Sequence, residues 1–326
     1  MKSSLQDTCP NAAKPGAALD SGDAVRTGAA TATVVRRSAY ATIREWAEMI
    51  KLEHTVFALP FALSGLLLAT PRLPSLGTWC WTVLAFTGAR AAAMTLNRLI
   101  DARIDARNPR TSSRALPAGR IKGASAGLFV LASFALMLFC AAKLPPLCLW
   151  LSPIAVAWLS FYSYTKRFTW LCHIVLGISL GGAALGGWVA AGGLLNSYAP
   201  WLLAAAVSAW VAGFDIIYAC QDIDVDAREN LFSMPSKFGV RKALNVSRLL
   251  HLITSACLVL LGCALQLGPA YWVGATLVMG MLVYEQRLVS EDDLSKIDAA
   301  FFTTNGVVSI AAFVAILIDK LLRISP

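Results

Sequence analysis

Asn97-Arg98-Leu99-Ile100-Asp101-Ala102-Arg103-Ile104-Asp105 and, far downstream, Asp215-Ile216-Ile217-Tyr218-Ala219-Cys220-Gln221-Asp222-Ile223-Asp224-Val225-Asp226 decide the reading of this chain. Each stands where a long apolar stretch runs into a basic loop. Acidic groups are costly in lipid and keep partners there. On a helix a four-residue step drifts only ~40°, so Asn97, Asp101 and Asp105 form one stripe. On a continuous helix Asp215, Asp222 and Asp226 also fall within ~40° of one another. Two such stripes can face each other. Hard oxygen ligands flanked by Arg and Lys suit a magnesium-bound polyphosphate better than one ion in a closed cage. The pattern predicts diphosphate chemistry inside a membrane.

The composition agrees with that setting. Of 326 residues, 57% are hydrophobic and only 14% charged, with a mean hydropathy of +0.62. That is the profile of an all-α polytopic membrane protein. The net charge of +9 sits in loops and not on a soluble basic face, so it reads as topology and phosphate binding, with no nucleic-acid partner. Eight cysteines are scattered without C-x-x-C or metal-ligand spacing, and read as reduced packing residues.

Apolar runs near 52–70, 79–100, 121–142, 145–162, 170–192, 198–220, 246–266, 268–285 and 299–319 predict nine spans. Pro145-Pro146 and Gly268-Pro269 mark tight connections. The loops near 101–122, 163–169, 221–245 and 285–298 hold fourteen Lys and Arg, against two, Arg72 and Lys143, in the opposite loops. The positive-inside rule then places both acidic motifs at the cytoplasmic ends of spans 2 and 6 of an inner-membrane protein. The C-terminus falls outside, with Lys320 and Arg323 running against the rule. Residues 1–40, small and polar, read as a disordered cytoplasmic tail ahead of one domain over 41–326. Residues 41–51 read either as an amphipathic interfacial helix or as the first turns of span 1.

The N-x-x-x-D-x-x-x-D run at 97–105, the D-x-x-Y-x-x-Q-D-x-x-x-D run at 215–226 and the loop Tyr162-Ser163-Tyr164-Thr165-Lys166-Arg167 resemble the UbiA superfamily of intramembrane prenyltransferases. The resemblance spans about 45–320 and implies a nine-helix bundle with a polar cytoplasmic chamber. It implies that Mg²⁺ bridges Asn97, Asp101, Asp105, Asp215, Asp222 and Asp226 to a polyprenyl diphosphate whose tail leaves toward the lipid bilayer. Lys166 and Arg167 are implied as diphosphate contacts.

The chemistry follows from the residues as well. An allylic diphosphate ionises when its leaving charge is neutralised in a site with little water. An electron-rich ring then attacks the cation, and water must be kept out. Asp101 and Asp222 are the expected catalytic carboxylates, and Tyr218, on the acidic stripe, offers its ring face to the cation. Tyr162 and Tyr164 fit that role or an interfacial belt. Arg114, directly after the first motif, is weighted toward diphosphate binding. Arg107, Arg110 and Arg120 fit either a clamp or topology.

Each residue also has a plainer reading. Asp101 and Asp105 fit a helix end paired with Arg98, Arg103 or Arg107. Lys166-Arg167 fits a positive-inside anchor, Asp224 reads as solvated, and His173 and His251 read as packing residues. His54, Lys51 and Arg44, with Arg90, are candidates for the acceptor.

The stretches Lys51–Leu63, Leu288–Ser295 and Ala300–Gly306 are similar to the branch labelled 4-hydroxybenzoate polyprenyltransferase, part of which is associated with the futalosine route to menaquinone. Span 1 lacks the Arg-x-x-x-Pro-x-Gly pattern of the ubiquinone type. The resemblance therefore implies an aromatic carboxylic acid acceptor, 4-hydroxybenzoate or a dihydroxynaphthoate. A non-aromatic acceptor such as a glycerol phosphate is compatible with the same motifs. A transporter fits less well, because transport sites lie near the midplane on broken helices and these acids end helices beside Arg-rich loops.

Overall fold

Backbone polar groups in lipid must be satisfied within the chain, and the segments meet that demand as helices. The computed structural model describes residues 39–324; of the expected tail over 1–40, residues 1–38 lie outside them and Ala39 and Tyr40 open the first helix. The helices are α1 (Ala39–Ile50), α2 (Leu52–Leu68), α3 (Leu76–Asp105), α4 (Gly123–Ala141), α5 (Pro146–Tyr162), α6 (Cys172–Ala190), α7 (Tyr198–Ala219), α8 (Ile223–Arg228), α9 (Met234–Phe238), α10 (Val240–Ala264), α11 (Pro269–Leu288) and α12 (Asn305–Ile324). A 3₁₀ turn covers Thr165–Arg167, and a π-helical turn covers Ala299–Thr304.

Each predicted apolar run overlaps one of these helices, the last also taking in the π-helical turn, but the count of nine membrane spans is not established by them. Five stretches, Gly123–Ala141, Pro146–Arg167, Cys172–Ala190, Tyr198–Ala219 and Val240–Ala264, are long and apolar enough to cross a membrane. The other four helices are shorter or interrupted by charge: α2 has 17 residues, and α3, α11 and α12 carry groups such as Asp101, Glu285 and Asp319. Large apolar side chains stand on the outside, among them Leu128 at 70% and Trp150 at 78% exposure. In water such a surface would aggregate; against acyl chains it costs nothing.

The interior gathers around α7, which packs on both α6 and α10. Phe61, Trp188, Val207, Trp210, Leu258, Leu282 and Val308 form the main core. Ser247 donates to the Gly213 carbonyl at 2.8 Å, and Gln286 donates to Ser247 and to the His251 ring at 2.8 and 2.9 Å. His251 is thus a packing residue within a polar link between α7, α10 and α11.

Loops at opposite ends of the bundle are tied separately. Asp319, 3% exposed, accepts from the Gly268 and Tyr271 amides and so caps α11, while its other partner is Arg323 at 3.0 Å. Arg323 and Lys320 donate to the carbonyls of Gln266 and Thr70. These cations close helix ends, which accounts for basic residues where the charge bias predicts few.

Helix α1 is separate from α2. Between them Lys51 takes a left-handed conformation, φ 50°, so the chain turns sharply. Met49 packs with Ala115, Ile121 and Ala126, the Trp46 ring lies tilted against Phe129 at 4.7 Å, and Arg120 reaches Glu45 at 3.2 Å. The amphipathic segment therefore braces the loop that follows the first acidic motif.

Helices α2 and α6 meet through reciprocal glycines. A Cβ on Gly187 would collide with the Ala62 carbonyl, and one on Gly65 with the Ala184 carbonyl. Close backbone approach of this kind replaces the hydrophobic drive that lipid removes. Gly187→Val is expected to cost at least ~2 kcal/mol by overpacking, read as a lower Tm in detergent. Gly186→Ala, where a Cβ meets open space, should melt with the native protein.

Candidate active site

The first motif lies on one unbroken helix, as its spacing predicts. Asp101 and Asp105 are 3% and 6% exposed, so each must have a partner. Among the described residues their short ion pairs come from other elements, and Arg98, Arg103 and Arg107 make none with them. Lys166 Nζ sits 2.5 Å from Asp101 Oδ2, and Arg167 Nη2 donates to Asp101 Oδ1 at 2.8 Å. Arg167 also donates to the Ile100 carbonyl at 3.1 Å. Arg114 Nη1 spans both Asp105 oxygens at 2.9 and 2.8 Å. The Lys166-Arg167 pair and Arg114 are thus built into the site's electrostatics.

The second motif differs from its predicted geometry. Helix α7 ends at Ala219, and α8 begins at Ile223. Between them the amides of Cys220, Gln221 and Asp222 bond carbonyls three residues back, a tightening common at helix ends. Asp215, Asp222 and Asp226 therefore do not share one straight helical face. The turn redirects the chain and still brings all three to one cavity.

That cavity has a volume of about 180 Å³ and is lined by Asn97, Tyr162, Lys166, His173, Asp215, Tyr218, Asp222, Asp226 and Ser233, among others. Asn97 comes from the first stripe and the three aspartates from the second, so the two motifs share one space. Burial pushes the Asp226 carboxyl above its usual range; the Ser233 hydroxyl lowers it again and the Asp222 charge raises it. A carboxylate in that position favours a cation. Tyr218 stacks on Phe301 of the π-helical turn at 4.1 Å, and Phe301 meets Phe214 edge-on at 5.3 Å. An aromatic wall thus adjoins the acidic one.

Two residues stand closer to the chemistry than their sequence context suggests. Arg110 Nη2 and Nε meet Asp222 Oδ2 and Oδ1 at 2.5 and 3.2 Å, and Nη1 donates to the Tyr218 hydroxyl at 3.1 Å. His173, 3% exposed, places Nδ1 2.6 Å from Asp215 Oδ2. Its Nε2 accepts from the Met234 amide at 3.3 Å. With Nε2 accepting from the Met234 amide, Nδ1 is the nitrogen left to donate to Asp215. His173 thereby orients Asp215. No local pattern marks either residue, because their partners lie 112 and 42 residues away.

The acceptor candidates are placed unequally. Arg44 is 70% exposed and pairs with Glu48 at 2.7 Å, on the outward side of α1. Lys51 stands at the α1–α2 turn. His54 falls in α2, with its side chain outside the described residues. Arg90 lies on α3 seven residues before Asn97, ~20° from it around the helix, and interacts electrostatically with the cavity residue Tyr162.

Among the described residues no three His, Cys, Asp or Glu side chains converge as a closed metal site. The cavity instead offers separated hard oxygens from Asn97, Asp215, Asp222 and Asp226 beside Lys166. That donor set fits Mg²⁺, which takes one or two carboxylates, waters and substrate phosphates and needs no all-protein cage.

Partners that orient a metal-facing carboxylate are commonly worth ~10–100-fold in activity or affinity. His173→Leu should lower kcat/KM for prenyl transfer into that range. His173→Gln, whose amide can donate to Asp215 and accept from Met234, should recover most of it. Equal loss in both variants would leave His173 as packing alone.

The match to known proteins is extensive. The family model for the UbiA prenyltransferase family matches residues 58–307. A 4-hydroxybenzoate octaprenyltransferase from Photobacterium profundum is 30% identical over 79% of this chain and 89% of its own length. One from Sodalis glossinidius is 31% identical over 85% of this chain and 95% of its own. The apo structure of a UbiA homolog from Aeropyrum pernix superposes with a TM-score of 0.75 at 36% identity, covering 82% of this chain and 98% of that one. A UbiA homolog from Archaeoglobus fulgidus bound to GPP and Mg²⁺ shares the fold at TM-score 0.71 and 20% identity, covering 85% and 99%. With helices, paired acidic motifs and family model in agreement, this chain is an integral multi-pass membrane protein of the UbiA prenyltransferase family.

Proposed function

We propose that the protein is an aromatic polyprenyltransferase of quinone biosynthesis, moving an isoprenoid chain from an allylic polyprenyl diphosphate to 4-hydroxybenzoate or a dihydroxynaphthoate. The observation that carries the reading is the single cavity shared by Asn97, Asp215, Asp222, Asp226 and Lys166 and walled by Tyr162 and Tyr218. The similarity to 4-hydroxybenzoate octaprenyltransferases supports the aromatic acid over a glycerol phosphate acceptor.

In this reading the nine apolar helices all cross the inner membrane, and residues 41–326 act as one domain. The site faces the cytoplasm, where the basic loops lie. Asn97, Asp101, Asp105, Asp215, Asp222 and Asp226 would hold Mg²⁺, which supplies neutralisation of the leaving diphosphate when bound. Lys166, Arg167 and Arg114 add positive charge to the same group. The allylic C–O bond breaks, diphosphate leaves with the electron pair, the ring carbon bonds the allylic carbon, and the ring proton passes to solvent. The faces of Tyr218 and Phe301 favour the transient cation, and the apolar bundle keeps water from capturing it.

Mass spectrometry of products from the purified protein, given an allylic diphosphate, Mg²⁺ and each acid in turn, tests the reading. A prenylated ring acid with release of pyrophosphate is expected; transfer only to a glycerol phosphate would overturn the acceptor assignment. Asp101→Asn and Asp222→Asn should lower the rate at least ~100-fold, as loss of transition-state charge stabilisation does. Asp224→Asn should stay near wild type, since Asp224 is exposed and absent from the cavity wall.

Of the acceptor candidates, Arg90 shares the α3 face of Asn97 and is assigned here to the acceptor carboxylate. Removing a hydrogen bond to a charged group costs ~1.5–3 kcal/mol, or ~10–100-fold in binding. Arg90→Leu should therefore raise KM for the aromatic acid by that factor and leave KM for the prenyl diphosphate nearly unchanged.

A further inference from the structure

The acids offered to Mg²⁺ are already neutralised in part by the protein itself. Asp101 holds Lys166 and Arg167, Asp105 holds Arg114, and Asp222 holds Arg110. Of these pairs, Arg110–Asp222 differs in two respects. Asp222 is among the residues lining the cavity in its resting state, and Asp101 and Asp105 are not. The Arg110 side chain is 36% exposed and sits in a loop, so it can leave without unpacking the core.

We propose that Arg110 is the resting counter-ion of Asp222, standing where a divalent cation binds, and that it exchanges Asp222 for the diphosphate when metal and substrate arrive together. This rests on the reading of the cavity as a metal-diphosphate site. The guanidinium engages both Asp222 oxygens, at 2.5 and 3.2 Å, and its positive charge there opposes a second cation at the same carboxylate unless Arg110 moves. A metal arriving alone would expel Arg110 into a site that already holds Lys166, and the two cations would repel. A diphosphate gives the expelled guanidinium a partner of matching geometry, since Arg binds carboxylate and phosphate by the same two-pronged fork. Metal and diphosphate therefore bind cooperatively, each raising affinity for the other by one shared factor.

Arg110 also fastens one loop to another. With Asn108, which approaches Asp222 at 3.5 Å, and Arg107, which pairs with Glu229 at 2.7 Å, it joins the loop after α3 to the stretch from Asp222 to Glu229 around α8. Exchange at Arg110 thus remakes one of three links while the other two keep the loops together.

The test uses the full chain in detergent with Mn²⁺ as the metal probe and inorganic pyrophosphate as the diphosphate. Protein-held Mn²⁺ is measured by electron paramagnetic resonance, corrected for the Mn²⁺–pyrophosphate complex in bulk solution. The native protein should bind Mn²⁺ weakly alone and ~5–150-fold tighter with pyrophosphate, the usual span of such coupling. Arg110→Gln should bind Mn²⁺ alone at least ~5-fold tighter than native, with the coupling to pyrophosphate reduced. A gain in affinity cannot come from misfolding. Arg107→Gln, which removes a link outside the cavity wall, should match the native protein in both conditions. Metal-alone affinity in Arg110→Gln equal to or below native would overturn the exchange while leaving the site reading in place. A native protein that holds no Mn²⁺ even with pyrophosphate would overturn both.

Discussion

A carboxylate withdrawn from water needs a counter-charge, and one end of this bundle is organised around that requirement. Asp101 and Asp105 are among the most buried charged groups of the described chain, and each is met by cations from a separate loop. The same ion pairs fix the loops: the turn at Thr165–Arg167 is held to α3 through Asp101, and the loop after α3 folds back through Arg114. The Phe232 amide donates to the Lys166 carbonyl at 2.7 Å, tying that turn to the segment after α8. Charge neutralisation and loop positioning are one set of contacts.

The apolar part of the structure serves this arrangement from below. Gly65 and Gly187 allow α2 and α6 to close, α7 fills the centre, and its last turns present Asp215 and Tyr218 at the cavity. Helix α1 supports the first motif's loop from outside through Met49 and Trp46. A π-helical turn opens the last span and carries Phe301 onto Tyr218. Such turns are uncommon and often mark functional sites.

Helical period and apolar run length made much of this legible in the sequence. The stripe Asn97, Asp101, Asp105 needed only the four-residue spacing, and each apolar run found its helix. The run over 198–220 placed this helix end within a residue; the continuous-helix geometry for Asp215, Asp222 and Asp226 missed the turn over 220–222 that separates them. His173 was hidden and Arg110 could not be told from its neighbours Arg107 and Arg120, since their roles depend on partners brought near only by folding. Arg44 looked equivalent to Arg90 as a basic residue, and only the Glu48 ion pair and the outward face of α1 separate them. Lys320 and Arg323 opposed the charge rule because their task is helix capping.

The central claim is that both acidic motifs hold one metal-diphosphate site. Anomalous scattering from crystals grown with Mn²⁺ and a non-reactive allylic diphosphate analogue tests it most directly. The account predicts metal peaks between the α3 stripe and Asp215, Asp222 and Asp226, with the diphosphate on the metal and Arg110 drawn away from Asp222. Metal bound to one motif alone, or a diphosphate seated outside this cavity, would contradict it.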